Sequence, residues 1–215
     1  MSPICQPLTA LPSVAGNSPA RIGVLALQGD VAEHVTMLRS LGADVVEVRL
    51  PTDLEGLEGL EGLVLPGGES SVMDKLLRLF TLQEPLRALI RQGLPVLGTC
   101  AGLILLADTL EDGIAGQQTL GGLDVSVSRN AFGSQVDSTE VDLSIDGIDG
   151  DPMTVALIRA PLVTTVGEGV RVIARMPDGG IVGVEQGALI GVSFHPEITG
   201  DTRLHRYFLE RVAQS

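Results

Sequence analysis

The residues best suited to chemistry fall in three short segments of the 215-residue chain. The first is Gly98-Thr99-Cys100-Ala101-Gly102, set between two apolar runs. This is the spacing of a nucleophile elbow with cysteine in place of serine. A sharp strand-to-helix turn strains the central residue, and glycines two positions either side avoid crowding it. A helix starting behind Cys100 favours a thiolate and supplies backbone N–H groups. Taken alone, the segment fits a buried structural cysteine beside two ordinary glycines equally well. The second segment, His195-Pro196-Glu197, closes the apolar run 189–194. Strand-like alternation would place His195 and Glu197 on one side, where the carboxylate orients the imidazole and stabilises its charged form. The third is Pro66-Gly67-Gly68-Glu69-Ser70-Ser71. Paired glycines let N–H groups approach a ligand, and with the N–H of Ala101 those near Gly68 would form an oxyanion hole. By itself Gly-Gly marks only a turn.

Positioning these segments requires an alternating chain. Residues 22–27 form a short apolar run suited to a central parallel strand, followed by Gln28-Gly29 and a helical stripe of Val31, Val35, Leu38 and Leu41. Asp30 with Glu33 reads as a capping box. Strands are expected at 44–50, 63–65 and from 95, and helices at 70–80, 83–92, after Cys100 and from Asp201 to the C-terminus. The Leu-Glu-Gly repeat at 54–62 is too short to bury a core and reads as a connection. Past residue 120, short β-rich runs at 123–127, 140–145, 154–158, 170–174, 181–184 and 189–194 suggest antiparallel additions and the remaining central strands. The pattern predicts an α/β fold with a mainly parallel sheet covered on both faces, built as a single domain over 21–215 after a disordered leader at 1–20.

Composition narrows the function. Apolar residues make up 44% of the chain and charged residues 19%, which favours a packed globule over disorder. A net charge of -13 argues against nucleic acid or an anionic membrane as partner, because phosphate binding needs clustered Lys and Arg. No apolar run approaches the ~20 residues of a membrane span. Two cysteines, Cys5 and Cys100, make neither a disulfide framework nor a zinc site and suggest a reducing, cytoplasmic compartment. No metal or cofactor is expected.

Together these segments resemble the triad-type (class I) glutamine amidotransferases, and most closely the glutaminase subunits of pyridoxal 5'-phosphate synthases. The narrower likeness rests on Leu25-Ala26-Leu27-Gln28-Gly29, the Pro66 to Ser71 loop, Arg129-Asn130-Ala131-Phe132-Gly133-Ser134-Gln135 and Ile158-Arg159-Ala160-Pro161. The resemblance implies a three-layer, flavodoxin-like fold and hydrolysis of L-glutamine to glutamate and ammonia through a thioester on Cys100. It implies His195 as general base, Glu197 as its orienting acid, and Gly68, Glu69, Ser70, Arg129, Ile158 and Arg159 as glutamine contacts. A guanidinium suits the free amino acid's α-carboxylate. Gln28 falls near the oxyanion site and the partner interface. His34 and His205 are expected to be structural or surface residues, with partner contact open for His34. Ammonia would pass to a synthase subunit in a hetero-oligomer. A glutaminase serving an imidazole glycerol phosphate or aminodeoxychorismate system, or a non-catalytic regulatory subunit, remains an alternative.

Overall fold

The computed structural model describes residues 18–54, 59–129 and 138–215. Most of the leader, the centre of the Leu-Glu-Gly repeat and the block from Asn130 to Gln135 lie outside the described residues.

The chain begins β1 (Arg21–Leu25), α1 (Val31–Ser40), β2 (Asp44–Val48), β3 (Gly62–Leu65), α2 (Ser70–Leu79), α3 (Gln83–Arg91), β4 (Val96–Thr99) and α4 (Ala101–Leu106). It continues through β5 (Ala107–Leu110), β6 (Leu123–Ser128), β7 (Ser138–Leu143), β8 (Met153–Ile158), β9 (Leu162–Val166), β10 (Arg171–Arg175), β11 (Ile181–Gln186) and β12 (Leu189–Val192). The short α5 (Pro196–Thr199) and α6 (Arg203–Val212) follow. The main sheet has the order β2-β1-β3-β4-β12-β11-β9-β6-β5, with β10 paired to β11. Its first five strands are parallel; β12, β11, β9 and β6 then pair antiparallel in turn.

The central strands are apolar throughout because both faces are covered, and their two-residue period sorts side chains between two cores. Ile22, Val24, Val64, Leu97, Ile190 and Val192 pack with Leu38 of α1, Leu204 and Phe208 of α6, and the β7–β8 hairpin. Leu63, Leu65, Val96 and Leu189 pack on the opposite face with Met73 and Leu77 of α2, Leu86 of α3 and the whole of α4. This is the expected three-layer arrangement. Leu204, Phe208 and Val212 are buried on α6 as their spacing predicts.

Four local expectations change. The helix after Cys100 lasts six residues and passes directly into β5, which the sequence pattern does not announce; β9 is likewise new. Asp30 stands at the N-cap of α1 but makes no side-chain capping bond. His195 and Glu197 are not in a strand: Pro196, favoured at the first helical position, turns the chain into α5 immediately after His195.

Candidate active site

Two adjacent parallel strands deliver the central groups. β4 and β12 run in register with Val192 opposite Thr99, so the chain segments leaving both strands emerge at one edge of the sheet. The N–H of Cys100 donates to the Val192 carbonyl at 2.8 Å, which ties the elbow to the strand that leads to His195.

Cys100 adopts φ 47° and ψ −103°, a strained backbone for a residue with a side chain. The flanking glycines are required by contact. A Cβ on Gly102 would lie 1.9 Å from the Leu65 carbonyl oxygen, and one on Gly98 would lie 2.6 Å from the Gly102 carbonyl carbon. The cysteine is free and buried, and its thiol reaches toward the Ile158 carbonyl at 3.9 Å. Ala101 opens α4, which places the helix start immediately behind the sulfur.

The imidazole of His195 is held from two sides. Nδ1 lies 2.8 Å from Glu197 Oε1 and 3.2 Å from Asp30 Oδ2. Glu197 is buried beneath the ring, whereas Asp30 approaches from the cavity side, its side chain one-third exposed. With Nδ1 committed to the carboxylates, Nε2 is the ring nitrogen left for Cys100. Burial works to lower the imidazole's pKa, but hydrogen bonds to Asp30, Cys100 and Glu197 outweigh it and push it up to about 12. Burial also pushes the Glu197 carboxyl up, while the bond to His195 draws the Asp30 carboxyl down. The donor atoms of Asp30, His195 and Glu197 lie within 4.8 Å of one another, a spacing that would also suit a cation. Here both carboxylates address the same ring nitrogen, the arrangement of a hydrogen-bonded triad.

The Gly67-Gly68 loop fits against this pair. A Cβ on Gly67 would stand 2.3 Å from His195 Cε1, and one on Gly68, whose φ is +148°, 2.5 Å from Gln28 Oε1. The Gln28 oxygen accepts the Glu69 N–H at 2.7 Å, so this side chain clamps the loop. Glu69 caps α2, accepting from Ser71, and pairs with Arg129 Nη2 at 2.7 Å. Arg129 also donates to Gln117, which in turn donates to Ser70 Oγ. Arg159 holds a left-handed φ of 44° at the end of β8.

A cavity of about 300 Å³ joins these groups, lined by Gln28, Gly68, Glu69, Ser70, Cys100, Arg129, Ile158, Arg159 and His195 among others. Glu197 lies behind the ring and outside the cavity. Asp30 also lines it, a residue that sequence reasoning assigns to helix capping; its position two residues after Gln28 is the available signal. His34 and His205 are wholly buried, which rules out a surface role for either and partner contact for His34.

The SNO glutamine amidotransferase family model matches residues 24–214. The chain is 61% identical to the pyridoxal 5'-phosphate synthase subunit PdxT of Leifsonia xyli subsp. xyli, over 89% of this chain and 96% of that one. It is 56% identical to the subunit of the same name from Clavibacter sepedonicus, over 93% and 97%. A crystal structure of a glutamine amidotransferase, 46% identical, superposes with a TM-score of 0.81 over 89% of this chain and 98% of that one. The fold is also shared with PurLQS from Thermotoga maritima, at 18% identity and a TM-score of 0.62, over 92% of this chain and 99% of the matched one. No helix among the described residues is long and apolar enough to cross a membrane.

Proposed function

Given that the chain belongs to the SNO glutamine amidotransferase family, we propose that it is the glutaminase subunit of a pyridoxal 5'-phosphate synthase, with Cys100, His195 and Glu197 as its catalytic triad. The observation that carries this reading is the double anchoring of His195 beside a strained cysteine. A charged imidazole adjacent to sulfur is the state that both activates the nucleophile and stores the proton its leaving group needs.

In this reading the Cys100 thiolate attacks the side-chain amide carbon of L-glutamine. The N–H groups of Gly68 and Ala101 receive the developing oxyanion, each such donor contributing roughly 3 to 4 kcal/mol. As the C–N bond breaks, His195 gives its proton to the departing nitrogen, which leaves as ammonia. A γ-glutamyl thioester remains. Neutral His195 then takes a proton from water while the hydroxide adds to the acyl carbon. Collapse of that adduct releases glutamate and returns the thiolate. Glu69 has the charge to meet the substrate's α-ammonium, and Arg129 and Arg159 its α-carboxylate; Ser70 and Ile158 complete the walls. We read 21–215 as one catalytic unit and place it in the cytoplasm, where a free Cys100 stays reduced.

The synthase subunit is the partner that receives the ammonia, which in bulk water would be protonated and lost. The experiment is glutamate release by the purified chain, alone and mixed with its cognate synthase. The parent chain is expected to be slow alone and stimulated by the synthase, and Cys100→Ala inactive in both cases with its fold retained. Parent-level hydrolysis by Cys100→Ala would remove the nucleophile from this scheme, and a different synthase giving the stimulation would change the product.

A further inference from the structure

The triad's acid has a second carboxylate oxygen that the chemistry above does not use. Glu197 Oε1 takes the His195 bond, whereas Oε2 is buried without a hydrogen-bond partner within ordinary reach. The side chain facing it is His34, whose Nε2 lies 3.5 Å away and 3.1 Å from the hydroxyl of Thr99, the residue before the nucleophile. On its other side His34 Nδ1 meets His205 Nε2 at 2.8 Å. Both side chains are wholly buried, on α1 and α6.

With Glu197 ionised, as the triad requires, these contacts favour one arrangement of protons. A nitrogen facing a buried carboxylate must carry hydrogen, since a lone pair there would repel the oxygen. With Nε2–H toward Oε2, a neutral His34 presents a lone pair at Nδ1 and needs a donor. His205 Nε2–H supplies it, which makes the partnerless Nδ1 of His205 the lone-pair end of the chain. Burial holds both imidazoles below their ordinary pKa, His205 at about 4, in keeping with two neutral rings.

Resting on the triad proposed above, we propose that His34 is a positioning residue for glutamine hydrolysis: its Nε2–H, bonded to Thr99 and 3.5 Å from the free oxygen of Glu197, offers that oxygen the positive end of an N–H dipole, so that the other oxygen stays aimed at His195, and His205 fixes the tautomer that makes this possible. His34 touches neither substrate nor sulfur. Its effect reaches the reaction through the Glu197 carboxylate and through Thr99 beside Cys100, both away from the substrate-binding groups, so it belongs to turnover and not to glutamine affinity.

The test is steady-state glutaminase kinetics of the full chain with its synthase, comparing His34→Leu, His34→Gln and His205→Leu. Glutamine keeps an N–H near the position of Nε2, whereas leucine offers none. His34→Leu is expected to lower kcat by about 10- to 100-fold with KM within about twofold, and His34→Gln to recover most of the loss. His205→Leu leaves the His34 ring in place but frees its tautomer, and is expected to lower kcat less, again without raising KM. A folded His34→Leu at the parent kcat, or a folded His34→Gln as slow as the leucine variant, overturns the assignment. If His34→Leu does not fold, His205→Leu at the parent kcat overturns it in the same way. A parent chain inactive with its synthase, or an active Cys100→Ala, refutes the triad beneath it, a failure distinguishable because it appears without any change at His34.

Discussion

Gly67 and His195 show how tightly the chemistry is dimensioned at the level of single atoms. With 2.3 Å between a Cβ at position 67 and His195 Cε1, Gly67→Ala must displace either the ring or the loop that carries Gly68. Because a misplacement near 1 Å costs about 100-fold, we expect at least that loss in kcat for Gly67→Ala, read by glutamate release from a variant shown to be folded by its urea transition. The three histidines offer a second check. His195 is held charged up to about 12 by its carboxylates and Cys100, whereas burial keeps His34 and His205 neutral. Histidine ring resonances followed by NMR from pH 6 to 8 should therefore show no titration near 6.5, the value all three would have in an unfolded chain. A ring titrating there would contradict this set of charges.

At the level of elements, the glycines also set how closely layers approach. A Cβ on Gly62 of β3 would lie 2.8 Å from Val212 Cγ2 and 2.9 Å from Phe208 Cζ. Gly62→Ala must push α6 outward, and overpacking of this kind costs about 1 to 3 kcal/mol, to be measured by urea unfolding, with kcat little changed. The strands that position the site are readable because burial on both faces makes them continuous apolar runs. β5 and β9 are hidden for related reasons: Ala107–Leu110 is half polar and follows α4 with no turn residue between them, and the threonines of Leu162–Val166 blur its burial. The loops around Cys100 and His195 are legible from residue type, yet strand alternation is the wrong route to the His195–Glu197 contact. In a helix, positions two apart point in different directions; the contact forms because His195 precedes α5, with non-helical φ −111° and ψ 86°. Asp30 is hidden by a side chain equally suited to capping, and the His34–His205 pair by 171 positions of separation.

For the whole molecule, the buried imidazoles govern acid stability. Unfolding below pH 6.5 lets His34 and His205 each take up a proton that the fold denies them, so stability falls as pH drops from 6.5 toward 4. Each contributes up to about 1.4 kcal/mol per pH unit, partly offset by Glu197, whose raised pKa lets the native state gain a proton first. Urea midpoints between pH 7 and 5 should fall accordingly, and His205→Leu should flatten the slope. His195 acts in the opposite range: its stabilisation is complete below pH 6.5 and declines as alkali approaches 12. The pairing of β4 with β12 carries a last consequence. β4, which leads to Cys100, is made before its sheet neighbour β12 and the segment carrying His195 and Glu197, which follow about ninety residues later. A nascent chain, or one clipped before position 189, therefore has Cys100 without His195 and Glu197 beside it. Under the proposed triad, ammonia release must await the segment that carries His195.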